Sequence, residues 1–223
     1  MNSTVPTKAG KLQTAADWAA FTPASKPASV LLAEDEHLVS LAMTHALATA
    51  GYVTVGPAVD GEQAVTLARQ AMPDIAVMDI HMPKRGGISA AKELFRELLI
   101  PVVIVSAYSD MEQVSAASDV GVFGYLVKPV TPDQLRAAIE VAWAGYVRYV
   151  HERKQTEDLR RRLEDRRVIE QAKWLLVSKR GMTEPVAMQT LRQAARDTRK
   201  GMTEVAAGVL AELGEGGDGA QRE

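Results

Sequence analysis

From Ser29 onward, short apolar runs alternate with stretches whose apolar residues recur every three or four positions. The runs at 30–33, 52–58, 75–78, 102–105 and 122–127 have strand lengths; those at 38–50, 62–71, 90–99, 111–118 and from Pro132 onward have helical periodicity. Five strands and five helices in strict alternation predict an α/β fold, a doubly wound, five-stranded parallel sheet with helices on both faces. Gly51 follows the first helical pattern as a C′ residue does. Pro73, Pro101 and Pro132 stand at element starts, where a missing N–H costs little.

The last helical pattern does not stop at the end of this unit. Leu135, Ile139, Ala142, Trp143, Tyr146, Tyr149 and Val150 lead into a polar helical stretch with Leu159 and Leu163, and Gly145 is the one weak point before Gly181. A long helix cannot bury its stripe alone, so residues 149–165 read as a helical, coiled-coil connector suited to a dimer, with a register broken by Arg153 and Thr156. Beyond it lie three short amphipathic stripes. They are Val168, Ala172, Leu175 and Leu176; then Val186, Ala187, Thr190, Leu191, Ala194 and Ala195; then Val205, Ala206, Val209, Leu210 and Leu213. Gly181-Met182-Thr183-Glu184 recurs as Gly201-Met202-Thr203-Glu204, so each Gly is expected to end a helix in the left-handed region and each Thr to cap the next. The expected organisation is a mobile tail at 1–28, an α/β domain at 29–148, the connector at 149–165, an all-α three-helix bundle at 166–213 and a disordered tail at 214–223.

Charge separates the two halves. Residues 28–150 hold 8 Lys/Arg against 14 Asp/Glu, a balance of −6, whereas residues 151–201 hold 14 against 8, or +6. The basic half is a candidate for a polyanion, with solvated helix faces as the other reading. The chain has no Cys, which excludes disulfides and thiolate metal sites. No apolar run is long enough to span a membrane, and the start carries Lys8 and Lys11 without the apolar core of a secretory signal, so a cytoplasmic location is the default expectation.

In a parallel sheet of this kind ligands gather at the carboxyl ends of the strands, where the strand order reverses. Those ends carry Glu34-Asp35-Glu36, Asp79, Ser106 and Lys128-Pro129. Crowded carboxylates repel one another unless a hard divalent cation sits among them, and Mg²⁺ takes few protein oxygens while keeping water and phosphate oxygens. That ion is expected on Asp35, Asp79 and the backbone carbonyl of His81, with Glu34 reaching it through water. A carboxylate beside a bound metal can attack a phosphoryl group in line and become an acyl phosphate. Asp79 is therefore the candidate phosphoacceptor, with Lys128 as a point charge for the phosphate and the Ser106 hydroxyl as a hydrogen-bond donor.

The segments LLAEDE, VMDIHMP, VVIVSAYS and GYLVKP, in this order on alternating elements, resemble the receiver domain of bacterial two-component response regulators. The resemblance implies phosphotransfer from a sensor histidine kinase to Asp79, Mg²⁺ dependence, and a cis peptide bond at Lys128-Pro129. It also gives Tyr125 two readings, a rotamer switch that follows Ser106 on phosphorylation or an ordinary strand aromatic. Glu34 stands where many receivers have Asp, and Ser106 where Thr is commoner.

For the bundle, a DNA-reading last helix would need Arg, Lys, Asn or Gln, yet residues 202–213 carry Glu204 and Glu212 and no Lys or Arg. Basic residues lie instead on the first helix and around the junctions: Arg161, Arg162, Arg166, Arg167, Lys173, Lys179, Arg180, Arg196, Arg199 and Lys200. Trp174 sits among them, either stacking on unstacked RNA bases or packing on the bundle. The segment from Arg166 to Leu210 resembles the ANTAR output domain of antitermination regulators related to AmiR and NasR, through Ile169, Ala172-Lys173, Leu175-Leu176, Ala187, Leu191, Ala195 and Val205-Ala206. That resemblance implies binding to paired RNA hairpins in nascent leaders and prevention of transcription termination. Trp174 replaces a usual Gly, and Met202 a usual Leu at similar volume. The combined expectation is a non-enzymatic regulator, dimeric when phosphorylated, whose acidic half controls an RNA-binding half. The alternative is a signalling adaptor whose bundle binds a partner protein.

Overall fold

The structure, a computed structural model, describes residues 21–107 and 121–214. Its elements are β1 (Ser29–Ala33), α1 (His37–Thr49), β2 (Val53–Ala58), α2 (Gly61–Ala71), β3 (Ile75–Asp79), α3 (Gly87–Leu98), β4 (Val102–Ser106), β5 (Val122–Val127), α4 (Pro132–Arg180), α5 (Glu184–Thr198) and α6 (Met202–Gly214). The helix expected at 111–118 lies outside the described residues. Two compact units divide near Lys154.

In the first unit five parallel strands lie in the order β2-β1-β3-β4-β5, so the order reverses between β1 and β3. Alternation along each strand sends successive residues to opposite faces. Val30, Leu32, Val77, Val103 and Val105 meet Met43, Ala46 and Leu47 of α1 and Leu135, Ile139, Ala142 and Tyr146 of α4. Leu31, Ala33, Ala76, Met78 and Ile104 meet Ala64, Val65 and Ala68 of α2 and Ala90, Ala91 and Leu94 of α3. The inner strands β1, β3 and β4 are thus buried on both sides, which is why they read as unbroken apolar runs.

Local chemistry sets the element ends. Asp60 Oδ1 accepts from the Gln63 N–H at 2.8 Å and caps α2. Thr131 and Gln134 form a reciprocal capping box around Pro132, with Thr131 N donating to Gln134 Oε1 at 2.9 Å and Gln134 N to Thr131 Oγ1 at 3.3 Å. Gly51 leaves α1 at φ +88°, as its position after the helix requires.

The expected long helix is present: α4 continues for 49 residues through Gly145 and past Lys154, and carries both the connector and the first stripe of the bundle. Two expectations need correction. The end of the expected tail is tied down: Phe21 packs against the core, Pro27 is buried, and Trp143 Nε1 donates to the Ala24 carbonyl at 3.2 Å. An indole N–H and an apolar ring need partners that the composition of the tail does not reveal. The glycine repeat does not act symmetrically either. Gly181 ends α4 at φ +66°, but α5 ends on Arg199 at φ +55°, leaving Gly201 to precede α6, where its carbonyl accepts from Val205 N at 3.1 Å. Thr183 makes no side-chain cap and Thr203 lies inside α6.

The second unit, from Gln155, packs the end of α4 with α5 and α6. Ala172, Leu176, Ala187, Leu191 and Ala206 are buried, with Val168, Ile169, Met202, Val205 and Leu210 around them. Three of those five buried residues are Ala, and so small a side chain allows the helices to approach closely. Among the described residues no helix is long and apolar enough to cross a membrane.

Candidate functional site

The carboxyl ends of β1, β3, β4 and β5 converge as their register requires. Ala33 pairs with Met78, Asp79 with Val105, and Ser106 with Val127, so Glu34 and Lys128 follow directly on the ends of paired strands. Lys128 Nζ lies 2.6 Å from Asp79 Oδ2 and 2.7 Å from Glu34 Oε2, joining residues 49 positions and more apart. Lys128 N donates to the Ser106 carbonyl at 2.9 Å, and the Lys128-Pro129 bond is cis, as the resemblance implied. His81 N donates to Asp79 Oδ1 at 3.2 Å. Ser106 is fully buried.

Burial divides the acidic pair at the end of β1. Glu34, expected to reach the ion through water, is 1% exposed, while Asp35, expected to bind it directly, faces solvent. Burial pushes Glu34 above the usual carboxylate range, aided by the neighbouring Asp79 charge and opposed by Lys128. For Lys128 burial pulls downward, but its hydrogen bonds to Asp79 and Glu34 outweigh that and hold it above the ordinary lysine value. The ammonium therefore stays charged.

Ligand oxygens of Glu34, Asp35 and Asp79 lie within 4.8 Å of one another. Lys128 pairs with two of these three carboxylates, Glu34 and Asp79, which leaves local negative charge, and the buried Glu34 Oε2 lacks an aligned hydrogen bond despite its ion pair. A hard divalent cation with its own water shell fits both features, since it supplies charge and donors together. Tyr125 pairs with Ile104 across the sheet, its ring half-buried against the core and its hydroxyl donating to the Ala107 carbonyl at 3.1 Å.

The sequence missed the fastening of the loop after Asp79. A Cβ on Gly87 would stand 1.9 Å from the Asp79 carbonyl oxygen, so only glycine permits this approach. Lys84 pairs with Asp60 at 2.6 Å, a contact between residues 24 apart that no local pattern announces.

In the second unit the candidate cations divide. Lys173 is 12% exposed and pairs with Glu170 at 2.6 Å and Glu184 at 3.1 Å, so its charge serves the bundle before any ligand. Arg180 pairs with Glu212, Lys200 with Glu204 and Arg167 with Glu164, all at solvent-exposed positions where such pairs are weak. Arg166, Lys179, Arg196 and Arg199 are exposed. So is Arg192, which the sequence reading passed over. Trp174 lies outside the buried core of the bundle, with 57% of its surface exposed. Arg167 and Trp174, seven residues apart, share one side of α4.

Comparison with known proteins agrees with both units. Residues 30–140 match the response regulator receiver domain family, and residues 157–210 match the ANTAR domain family. The chain is 41% identical over 191 residues to the transcriptional regulatory protein PdtaR of Mycobacterium tuberculosis (strain ATCC 25618 / H37Rv), covering 86% of this chain and 93% of that protein. The probable C4-dicarboxylate response regulator DctR of Bacillus subtilis (strain 168) is 34% identical over 119 residues, 52% of this chain and 53% of that protein. A solved two-component response regulator of the LuxR family from Aurantimonas sp. SI85-9A1 shares 30% identity and a TM-score of 0.50, covering 54% of this chain and 87% of that one. Strand tips, helical unit and relatives agree, and the chain belongs to the response regulators in which a receiver domain is followed by an ANTAR domain.

Proposed function

We propose that this response regulator takes a phosphoryl group from a sensor histidine kinase onto Asp79, and that phosphorylation controls binding of RNA hairpins in nascent leader transcripts, and hence transcription antitermination, by its ANTAR unit. The observation that carries this reading is the lysine bridge from Asp79 to Glu34 at the strand tips, on the same chain as a basic helical unit with an exposed tryptophan. A carboxylate oxygen of Asp79 attacks the phosphorus, the bond to the donor's nitrogen breaks, and an acyl phosphate results. Lys128 then transfers its charge from the carboxylate pair to a phosphoryl oxygen, and Ser106 donates its hydroxyl. Mg²⁺ held by Glu34, Asp35, Asp79 and the His81 carbonyl would supply charge neutralisation for the phosphoryl oxygens. In the bundle, exposed cations hold RNA phosphates while Trp174 offers a stacking face for an unpaired base.

The test is mass by light scattering together with hairpin-RNA binding on the same samples, for wild type and Asp79→Asn, each with Mg²⁺ and a small acyl phosphate. The expected result is dimerisation and a gain in salt-sensitive RNA affinity in wild type alone. If both proteins behave alike, Asp79 is not the switch. If the phosphorylated protein binds no RNA, the bundle is an adaptor for a protein partner instead.

A further inference from the structure

The loop after β3 is anchored to the start of α2 by contacts outside the carboxylate cluster. Lys84 adopts φ +58°, a left-handed conformation costing a non-glycine residue about 1 kcal/mol. Its side chain is 66% exposed, yet its ammonium reaches back to Asp60 Oδ2, while Asp60 Oδ1 caps α2. Gly61 N donates to the Arg85 carbonyl at 3.1 Å, and a Cβ on Gly61 would stand 2.5 Å from that oxygen. Arg85 continues the fastening to α3 through the Ser89 carbonyl at 3.0 Å and Glu93 at 2.6 Å. The segment bound in this way runs from Ile80 to Gly87, whose N–H donates to the Ile80 carbonyl at 2.9 Å, and it includes His81.

We propose that Lys84 and Asp60 are a positioning pair: by holding the loop against α2 they set the His81 carbonyl relative to Glu34, Asp35 and Asp79, and thereby the Mg²⁺ affinity and the lifetime of phosphoryl-Asp79. The phosphoryl part rests on the assignment of Asp79 as phosphoacceptor; the Mg²⁺ part stands without it. The burial of Asp60 and the unfavourable backbone of Lys84 show that both residues give up freedom for this contact.

Lys84→Met removes the charge and keeps the reach, Lys84→Arg keeps the charge, and Asp60→Asn keeps an oxygen for the cap while abolishing the ion pair. Mg²⁺ affinity is read by calorimetry, loop order by amide exchange of residues 81–86 without Mg²⁺, and phosphoryl lifetime by decay after acyl phosphate treatment. Lys84→Met and Asp60→Asn should each weaken Mg²⁺ binding about fivefold, speed exchange in the loop and shorten phosphoryl lifetime. The double variant should be no worse than either single, and Lys84→Arg should restore wild-type values. Wild-type Mg²⁺ affinity and loop exchange in Lys84→Met would overturn the proposal, as would fully additive losses in the double variant. A urea midpoint on each protein separates these effects from general unfolding. If wild type accepts no phosphate, the phosphoacceptor assignment fails alone, and calorimetry and exchange still decide the role of the pair.

Discussion

Lys128 holds two carboxylates that would otherwise repel each other, one of them sealed from water. Removing one partner of a fully buried ion pair costs about 3–5 kcal/mol, but Lys128 keeps some exposure, so Lys128→Met should destabilise the Mg²⁺-free protein by about 2 kcal/mol. Mg²⁺ at ten times its dissociation constant should stabilise wild type by about 1.4 kcal/mol, and Lys128→Met by more, both read from urea midpoints. Asp35→Asn should reduce that gain. Gly87→Ala is a separate residue-scale test. Its methyl has no room against the Asp79 carbonyl, and a loss of about 3 kcal/mol or failure to fold is expected. At this scale the sequence was informative where chemistry stood at strand ends: Asp79, Lys128 and Ser106 took the places their positions implied. It was uninformative where sign and burial are set by tertiary packing, as for Glu34 and Asp35, or where partners are far apart, as for Lys84 and Asp60.

Among elements, α2 and α3 are joined by Arg69 and Arg85 around Glu93, at 2.8 and 2.6 Å. Hydrogen bonds from Arg69 and then Arg85 hold the Glu93 carboxyl below the usual range. A folded-state value below the unfolded one gives stability that is complete above the unfolded value of about 4.3 and is lost as pH falls through the folded value. The urea-midpoint gap between wild type and Glu93→Gln should thus be largest near neutrality and close below about pH 4. For β5, Tyr125→Ala should leave phosphate uptake intact; if Tyr125 is a switch, the variant loses the phosphate-dependent gain in RNA affinity, and an unchanged gain makes it a strand aromatic only. Element types were legible because the apolar runs and helical stripes have different periods. Helix ends were less so: Met72, Leu99 and Arg199 all occupy left-handed positions that composition would give to glycine, at a cost of about 1 kcal/mol each, while their N–H groups close the last helical turn on the Ala68, Phe95 and Arg196 carbonyls.

Across the whole molecule, α4 belongs to both units. The sequence showed that nothing stopped this helix between Pro132 and Gly181, and its stripe changes character along the way. Leu135 to Val150 serve the receiver core, and Ala172 and Leu176 serve the bundle. At 1.5 Å per residue it is about 74 Å long. If phosphorylation acts through this helix, inserting two residues near Arg161 should abolish the phosphate-dependent RNA response, because each residue turns the downstream helix by about 100°. Inserting seven should retain most of it. Hairpin binding with and without acyl phosphate checks both.

The same continuity bears on how the protein can be taken apart. Where two-domain chains expose a loop that a protease cuts first, residues 132–180 offer only hydrogen-bonded helix. Cleavage there must wait for local unfolding, so the regulatory and output halves should turn over together as one molecule, without releasing a free output fragment that no longer answers to a signal.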